Sequence, residues 1–405
     1  MTQETDNGPY LIILGAGPQQ EKLYILARKF SHRIIGVDLN EDAIAKKHCD
    51  VFLNVSIKNE VEIIKKLRET NLKFSGVVTC GAEVSPQVAM IAESFDLVGI
   101  PHEVAVNTTD KFARSKALES GGIKIPRFQT VEVDSEVNIT LPVVIKPIDS
   151  SGSRGVSLVR ERGQLSKAII FAQNVSKSNK VLCEEFIENG VEVSIEAFVI
   201  DGVPHVTGVA ERHFLDVATT FPEFIEYGGT MPPTFSSALQ LQCEEVFSDA
   251  IRVLGIEGGP SKGDLIIKDD VVYVLEITSR TSPGFAAEMQ PLNSGIEPLV
   301  ALLKWAIGEP LDAELLKPKF SRGVAHRYFQ HKPGVIDDIE GLELLSNSPD
   351  VKYHLMLNSP NIGDVLEPMS YMNRLFYIIT DGTTNLEAVS KAESVLNKIL
   401  IRTKS

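Results

Sequence analysis

The chain has 405 residues and a formal net charge of −14, with 43% hydrophobic and 23% charged residues. This composition is typical of a globular protein with room for two or three domains. The acidic balance argues against nucleic acid and anionic membranes as partners, because both need a basic surface. No apolar run approaches the roughly 20 residues of a membrane span. The start, MTQETDNG, lacks the features of a secretion signal, so we expect a cytoplasmic location.

Strands and helices alternate through the first hundred residues. The apolar runs YLIIL, RIIGV, VFLNV and GVVTC are strand-like, and stretches with helical spacing separate them. This order predicts a parallel, Rossmann-like sheet. Gly15 and Gly17 with Asp38 downstream suggest dinucleotide binding, but Gln20 stands where the fingerprint needs its third glycine. We therefore predict a domain that contacts a small substrate or only packs; an NAD-binding oxidoreductase is the alternative.

The middle of the chain carries two lysines and a glycine loop. Within residues 107–126 we predict a helix that has Lys111 in its first turn, runs through Ala117 and stops at Gly121 and Gly122. Lys146 lies on a later strand. A loop of small residues follows at 150–155. Glycines let main-chain N–H groups approach phosphates closely, and lysines add compact positive charge, so the pattern indicates a phosphate site. A flexible hairpin tip is the simpler alternative. The central loop residues are Ser151, Gly152 and Ser153.

Three glutamates follow the loop. Glu184 and Glu185 lie near the end of the strand-like run VLCEEFI, and Glu192 comes soon after. The main chain of such a hinge can recognise an adenine, and a carboxylate can accept both hydroxyl groups of a ribose. Taken alone, glutamates at these positions are more often solvated surface groups.

Residues 263–280 predict a β-hairpin with a polar turn. Glu276 and Thr278 share one face of their strand. Asp264 joins that face if the hairpin loop has an odd number of residues, and we expect the common three-residue loop. Two carboxylates converging from neighbouring strands suit Mg²⁺, a hard cation that takes oxygen ligands. An exposed acidic hairpin is the alternative. The eight histidines and four cysteines lack the spacing of a transition-metal site or a disulfide framework.

Six features thus occur in a fixed order between Lys111 and Arg280: a lysine helix, a lysine strand, a glycine loop, a glutamate hinge, a further glutamate and a two-carboxylate hairpin. In this order the chain resembles the ATP-grasp superfamily, and it is similar to L-amino acid ligases and to proteins like the carbamoyl phosphate synthetase large subunit. The resemblance implies a mixed α/β and α+β fold. A Rossmann-like N-terminal domain (1–108) precedes a two-subdomain ATP-grasp fold (109–316) and a small C-terminal α+β domain (317–405).

The resemblance assigns roles in a nucleotide site. Lys111 and Lys146 match the cations on the phosphates of ATP, and the loop at 150–155 matches a mobile lid over them. Glu184 matches the hinge residue whose main chain faces the adenine amine, and Glu192 fits the ribose glutamate. The neighbouring hinge residues are Glu185, Phe186 and Ile187.

The resemblance also assigns a metal and reaction centre. Asp264 and Glu276 match the Mg²⁺ carboxylates, with Mn²⁺ as an alternative ion. Arg280 fits the arginine that holds the reacting phosphoryl or carboxylate group, and Lys262 adds a charge near it or lies on the surface. Many members carry an asparagine two residues after the second carboxylate; here Thr278 stands in that position and offers a hydroxyl group to the ion or to a bound water.

The reaction that the resemblance implies is ATP-dependent ligation. A small-molecule carboxylate attacks the γ-phosphate to give an acyl phosphate and ADP, and an amine then displaces phosphate. A purine-pathway carboxylate ligase of the same fold and a non-catalytic ATP-binding protein are alternatives. A homodimer is implied by the habit of the family.

Two further segments carry predictions. Residues 219–235 are polar, contain glycine and proline and are too long for an ordinary connection, so we predict an irregular second lid. Just before it, Glu211 and Arg212 are candidate substrate contacts. For His326 and Arg327, on the strand-like run GVAHRYFQ, we predict a structural role, and a position facing the active site is the alternative.

Overall fold

The computed structural model describes residues 8–30, 32–133, 135–150, 154–220 and 224–404. The N-terminal part is a parallel sheet between helices. Its strands are β1 (Tyr10–Leu14), β2 (Arg33–Asp38), β3 (Val51–Asn54) and β4 (Phe74–Val78), and its helices are α1 (Glu21–Lys29), α2 (Glu60–Glu69), α3 (Ser85–Ser94) and α4 (His102–Thr109). The strand order is β3-β2-β1-β4. All five residues of β1 are buried, as a central strand covered on both faces requires.

A small antiparallel sheet follows. Helix α5 (Lys111–Ser120) leads into strands β5 (Phe128–Val131), β6 (Val143–Pro147), β7 (Ser157–Val159) and β8 (Val181–Glu185), with helix α6 (Leu165–Val175) between the last two. The strand order is β5-β8-β6-β7. The buried face of α6 packs Ile169 into the core formed with Val143 and Ile145 of β6. This packing fixes β6, the strand that carries Lys146.

The rest of the described chain is organised around an eight-stranded antiparallel sheet. Its strands are β9 (Val191–Ile200), β10 (Val203–Phe214), β11 (Glu226–Met231), β12 (Gly259–Lys268), β13 (Val271–Thr278), β14 (Gly323–Tyr328), β16 (Val351–Met356) and β18 (Phe376–Gly382). The order is β13-β12-β9-β10-β11-β14-β18-β16. Strands β15 (Gly334–Glu340), β17 (Val365–Leu366) and β19 (Leu400–Lys404) form a separate sheet in the order β17-β15-β19.

Helices accompany both of these sheets. Helix α8 (Ser237–Val253) begins at Ser236, whose side chain accepts a hydrogen bond from the Leu239 N–H, as a good N-cap does. Buried residues of α8 join the core beneath β9, β12 and β13. The other helices are α7 (Val217–Thr220), α9 (Gln290–Ser294), α10 (Pro298–Ala306), α11 (Leu344–Asn347) and α12 (Asn385–Leu396).

The large sheet contains strands from both sides of the domain boundary that the sequence predicts between residues 316 and 317. Strand β11 pairs with β14, with Gly228 opposite Arg327 and Met231 opposite Val324. The C-terminal strands therefore extend the same sheet that carries the two-carboxylate hairpin. The predicted domain limits stay a prediction.

The β12–β13 hairpin is confirmed, but its expected three-residue loop is wrong. The turn has two residues, Asp269 and Asp270, both with positive φ as a type I′ turn requires. A regular ladder from this turn would put Leu275 opposite Asp264. A β-bulge shifts the register between Asp264 and Leu265, so that Glu276 faces Asp264 instead. The two carboxylates thus share a face for a different reason from the one expected.

The predicted mixed fold is confirmed in its main lines, from the Rossmann-like sheet to the C-terminal α+β arrangement. Within the described ranges, no helix is both long and apolar enough to cross a membrane.

Candidate active site

A polar cavity of about 470 Å³ is lined by residues from the small sheet and from the β12–β13 hairpin. It brings together predicted residues from four separate elements: α5, β6, β12 and β13. The predicted residues in its lining are Lys111, Lys146, Asp264, Glu276 and Thr278. We call this space the phosphate cavity.

Asp264 and Glu276 face each other across the hairpin. The Oδ1 atom of Asp264 and the Oγ1 atom of Thr278 are buried, and neither has a hydrogen-bond partner among the described residues. Buried oxygen atoms without partners are costly, so their presence beside a second carboxylate fits a site for a hard cation such as Mg²⁺. Among the described residues, no cluster of three or more His, Cys, Asp or Glu side chains has metal-binding geometry. Substrate oxygens and water would therefore complete the coordination.

The charge state of Glu276 suits this role. Burial alone would raise its pKa, but the charge of Arg114, followed by those of Lys262 and Lys111, holds the pKa well below its ordinary value. Arg114 Nη2 lies 3.5 Å from Glu276 Oε1. Glu276 is therefore ionised at neutral pH, as the predicted metal-binding role requires.

The two lysines of the phosphate cavity are held differently. Lys111 Nζ donates a hydrogen bond to the Ser150 carbonyl oxygen. Burial lowers the pKa of Lys111 to about 8, and the charges of Arg114 and Lys146 also lower it, against the opposing charge of Glu276. Lys146 Nζ lies 2.5 Å from Glu184 Oε2 in an ion pair that is largely buried.

A second cavity, of about 510 Å³, adjoins the first. Both cavities are lined by Glu83, Arg212, Asp264 and Glu276. The second one also contains Lys262 and Arg280, the two residues predicted to act at the transferred group. We call it the substrate cavity. The two carboxylates predicted to bind metal, Asp264 and Glu276, therefore lie on the border between the two cavities.

The two predicted catalytic cations already have acidic partners. Lys262 Nζ donates to Asp264 Oδ2, and Arg280 Nη2 donates to Glu83 Oε1 from the N-terminal domain. Arg280 Nη1 also donates to the Thr281 carbonyl oxygen at 2.9 Å. Both cations are thus fixed at the border before any ligand binds.

Arg212 links the border to the substrate cavity. Its Nη1 atom lies 3.3 Å from Asp264 Oδ2, and its Nε and Nη2 atoms donate to both carboxylate oxygens of Glu226 at 3.1 Å. Burial would raise the pKa of Glu226, but the charge of Arg212 and its hydrogen bond outweigh burial and lower the pKa to about 2. Glu211, on the other face of the strand, binds Thr234 instead.

Comparison with known proteins agrees with this geometry. A family model described as an ATP-grasp domain matches residues 108–283. The chain contains an ATP-grasp domain. For residues 108–283, this match confirms the predicted resemblance to the ATP-grasp superfamily of ATP-dependent ligases.

Three relatives extend the comparison beyond the ATP-grasp domain. An uncharacterised protein, y4rH, of Sinorhizobium fredii is 23% identical over 340 residues, which is 80% of this chain and 66% of the relative. A formate-dependent phosphoribosylglycinamide formyltransferase of Francisella tularensis is 23% identical over 327 residues, covering 78% of this chain and 81% of the relative. An L-amino acid ligase structure from Bacillus licheniformis aligns with a TM-score of 0.83 at 22% identity over 99% of this chain and all of its own. At this identity the structural likeness shows the fold alone.

The predicted adenine hinge of the ATP-grasp domain lies at the end of β8, and none of its residues lines the phosphate cavity. Glu184 sits between β5 and β6, opposite Phe128 and Val144, so its main chain lies inside the sheet. The strand ends at Glu185, whose side chain pairs with Arg127 at 3.0 Å. The main chain leaves the strand at Phe186 and Ile187, the last two residues of the predicted hinge. The adenine role of these residues stays a prediction.

Glu192 lies beside the same network, and its side chain is 24% exposed. Its Oε2 atom is 3.6 Å from Arg212 Nη1. Burial raises the pKa of Glu192 to about 7, and the charges of Asp264 and Glu226 add to this effect against that of Arg212. The predicted ribose role requires a hydrogen-bonding carboxyl group, which Glu192 offers in either protonation state.

The central residues of the predicted phosphate lid, Ser151, Gly152 and Ser153, lie outside the described residues. The flanking residues Ser150 and Arg154 both line the phosphate cavity. The lid role stays a prediction.

The glycine turn after β1 is hydrogen-bonded to a side chain of the protein itself. The Asp38 carboxylate accepts hydrogen bonds from the main-chain N–H groups of Ala16 and Asn40, both at 2.8 Å. Gln20, which replaces the third glycine of the dinucleotide fingerprint, donates to the Cys80 carbonyl oxygen at 2.8 Å. These contacts favour the packing role predicted for this turn.

Sequence reasoning missed several residues of the site. Arg114 follows Lys111 by one helical turn, so the spacing i, i+3 was the available signal. Glu226 lies in residues 219–235, which were predicted to be irregular; that prediction is wrong for residues 226–231, which form β11. His326, for which a structural role was predicted, lines the substrate cavity. Arg374 had no motif that could have identified it.

Proposed function

We propose that this chain is an ATP- and Mg²⁺-dependent ligase that activates a small-molecule carboxylate as an acyl phosphate and joins it to an amine of the amino-acid or dipeptide type. ADP and phosphate are the other products. One observation carries the proposal: Asp264 and Glu276 line both cavities, so these two residues would hold a metal where it could neutralise charge on nucleotide phosphates next to an organic substrate.

The chemistry divides between the two cavities. Lys111 and Lys146 hold the phosphates of ATP, while Lys262 and Arg280 hold the substrate carboxylate and the transferred phosphoryl group. Mg²⁺ at Asp264, Glu276 and Thr278 supplies charge neutralisation on the phosphate oxygens. Phosphoryl transfer depends mainly on such positioning and electrostatic stabilisation.

Two bond exchanges make up the proposed reaction. A carboxylate oxygen attacks the γ-phosphorus, and the bond to the bridging oxygen of ADP breaks. The amine nitrogen then attacks the acyl carbon, the bond to phosphate breaks, and the nitrogen loses a proton. Adenine lies at Glu184, Glu185, Phe186 and Ile187, and the ribose at Glu192. The loop containing Ser151, Gly152 and Ser153 closes over the phosphates and excludes water from the acyl phosphate.

Hydroxylamine trapping tests the activation step without knowledge of the amine. The protein is incubated with ATP, Mg²⁺, hydroxylamine and a panel of amino acids and small carboxylates, and acyl hydroxamate and ADP are measured together. We expect equal amounts of both with at least one acid. The matched pair is Glu276→Gln, which should abolish both products, and Asp269→Asn at the exposed turn of the same hairpin, which should not. ADP release without hydroxamate across the panel would contradict the proposal.

A purine-pathway carboxylate ligase is the second candidate, favoured by the relative named as a phosphoribosylglycinamide formyltransferase. Its substrate would carry a sugar phosphate as well as a carboxylate, whereas three of the four Lys and Arg side chains in the substrate cavity, Arg212, Lys262 and Arg280, are already paired with carboxylates of the protein. Hydroxamate or ADP formation that depends on a phosphoribosyl substrate would favour this candidate.

Three smaller statements belong to the same proposal. Mn²⁺ replaces Mg²⁺ with retained activity, because both ions accept oxygen ligands. The protein acts as a homodimer in the cytoplasm. Light scattering tests the homodimer, and fractionation of the source cells tests the cytoplasmic location.

A further inference from the structure

Arg374 lines the substrate cavity but not the phosphate cavity. It is 2% exposed, and its guanidinium lies between two rings, 3.9 Å from the centroid of Tyr328 and 4.0 Å from that of Tyr371. Its Nη2 atom donates to the Glu226 carbonyl oxygen. Its Nε atom is buried without a partner, and within the described part of the chain Arg374 has no ion pair.

A buried cation without a counter-ion is costly, as is a buried donor without an acceptor. The two tyrosine rings hold the guanidinium plane in one orientation by stacking and cation–π attraction. A planar guanidinium fixed in this way is suited to a bidentate carboxylate. The other cations of the substrate cavity, Arg212, Lys262 and Arg280, each contact a carboxylate of the protein. Among the described residues, Arg374 is therefore the one Lys or Arg side chain of the substrate cavity that has no carboxylate of the protein in an ion pair with it.

His326 is a second unsatisfied group beside Arg374. It lines the same cavity, and its Nε2 atom is buried without a partner. Burial lowers the pKa of His326 to about 4, against the charge of Glu226 and together with that of Arg374, so the ring is neutral at pH 7. A neutral imidazole nitrogen can accept a hydrogen bond from an amino group.

The side of the cavity next to His326 is apolar. The His326 ring contacts the Tyr377 ring at 4.5 Å between centroids. Four lining residues of the cavity belong to one hydrophobic cluster: Phe285, Met289, Tyr377 and Ile379. Such a surface favours an uncharged apolar group, because a charged one would lose its hydration without gaining a partner.

We infer that the amine substrate is an α-amino acid with an apolar side chain, recognised through its carboxylate by Arg374 and with its amino group facing His326. The inference rests on the proposed function, which requires an amine beside the activated acid. The reacting carboxylate meets Lys262 and Arg280 at the border of the cavities, so the amine substrate needs an anion site of its own. Arg374 is thus a specificity-determining residue.

Calorimetry with matched ligands tests the recognition directly. L-leucine, L-methionine and L-phenylalanine are each compared with their primary amides, in the presence of ADP and Mg²⁺. We expect at least one acid to bind the native protein about tenfold or more tightly than its amide, since the amide lacks the charge-assisted hydrogen bonds. In Arg374→Gln the preference should fall below about threefold. Binding of none of the three acids, equal binding of acid and amide, or an unchanged preference in Arg374→Gln would overturn the inference.

Two further variants separate recognition from folding. Arg374→Lys keeps the charge and should retain part of the preference, with an unfolding midpoint close to that of Arg374→Gln. Arg327→Gln is the matched control, because Arg327 is a similarly buried arginine that lines a different cavity. A loss of preference in Arg327→Gln equal to that in Arg374→Gln would mean that unspecific damage causes the effect, and would overturn the assignment.

Hydroxylamine trapping keeps this inference apart from the proposed function. Hydroxamate formed equally by the native protein and Arg374→Gln, with no distinction between amino acid and amide, leaves the ligase standing and removes the inference. Arg374-dependent amino-acid binding without any hydroxamate or ADP removes the ligase instead. Loss of hydroxamate in Arg374→Gln with dicarboxylic acids alone would assign Arg374 to the acid substrate and overturn the amine assignment.

Discussion

The phosphate cavity and the substrate cavity meet at Asp264 and Glu276, yet they are built in different ways. The phosphate cavity takes its predicted charged groups from elements that carry recognisable motifs, and its ligand chemistry is common to many ATP-dependent enzymes. The substrate cavity takes its lining from segments as far apart as Gln19 and Ile379, most of them without a motif. This difference shows that sequence motifs can identify a reaction centre without identifying the residues that select the substrate. Function therefore has to be argued from the residues of the site and not from the fold.

The largest effect on activity is expected from a substitution at the border that the two cavities share. Replacing Glu276 with glutamine removes one charge from the proposed metal site and should lower turnover by a factor on the order of 10³, the range seen for lost electrostatic stabilisation. Both the ADP and the hydroxamate assays should report it. The same change leaves Arg114 without its carboxylate, so the unfolding midpoint must be measured in parallel. Turnover within tenfold of the native value would remove Glu276 from the metal site.

A substitution confined to the phosphate cavity should change the affinity for the nucleotide alone. Lys146→Ala should weaken ATP binding by roughly 10- to 100-fold, because a charge-assisted hydrogen bond to phosphate is lost. Since Glu184 then stays buried without its partner, the double variant Lys146→Ala, Glu184→Gln separates binding from stability. Calorimetry with ATP and Mg²⁺ measures the affinity. Native affinity in the folded single variant would contradict the phosphate role.

The pH dependence of ATP binding tests the contribution of Lys111, which lines the phosphate cavity and not the substrate cavity. The pKa of Lys111 is lowered to about 8, and its charged form is the one that attracts phosphate. ATP affinity should therefore be fully present below pH 8 and fall as the pH rises through 8, by about tenfold per pH unit when one proton is involved. In Lys111→Arg the charge persists, so the affinity should stay flat up to pH 10. A parallel decline in both proteins would assign the effect to another group.

The smallest expected effect concerns the substrate cavity alone. Tyr371→Leu removes one of the two rings around Arg374 and should raise the KM for the amine roughly two- to fivefold, in line with a cation–π contribution of about 0.5–1 kcal/mol. The Kd for ATP should not change. Steady-state kinetics at saturating ATP gives the first value and calorimetry the second. A change in ATP affinity of similar size would show that the two cavities are not independent.

Local patterns predicted much of the phosphate cavity. The alternation along β13 put Glu276 and Thr278 on one face, and the capping pattern at Asp110 put Lys111 at the start of α5. The register was harder, because the bulge between Asp264 and Leu265 leaves no mark in the residue pattern. The prediction reached the right pair of carboxylates through an incorrect loop length.

Non-local pairing explains what could not be predicted. The position of Glu226 in the site depends on the pairing of β11 with β10 on one side and with β14 on the other. The short polar, glycine-rich run of β11 has weak strand propensity, so its neighbours decide its conformation. Arg374 lies just before β18 and reaches the cavity only because β18 pairs with β14. The β11–β14 pairing joins residues about 100 positions apart, and the β14–β18 pairing joins residues about 50 to 60 positions apart, so no local pattern in the sequence indicates either of them.

The continuous eight-stranded sheet has a consequence for any attempt to cut the chain into modules. Shortening it after residue 316 would remove β14 and uncover the hydrogen-bonding edge of β11, which carries Glu226. An uncovered edge strand recruits other chains and promotes aggregation. The carboxyl-terminal segment is therefore not a detachable accessory, and recombining it with segments from related enzymes would succeed only if the transplant supplied a strand in the same register.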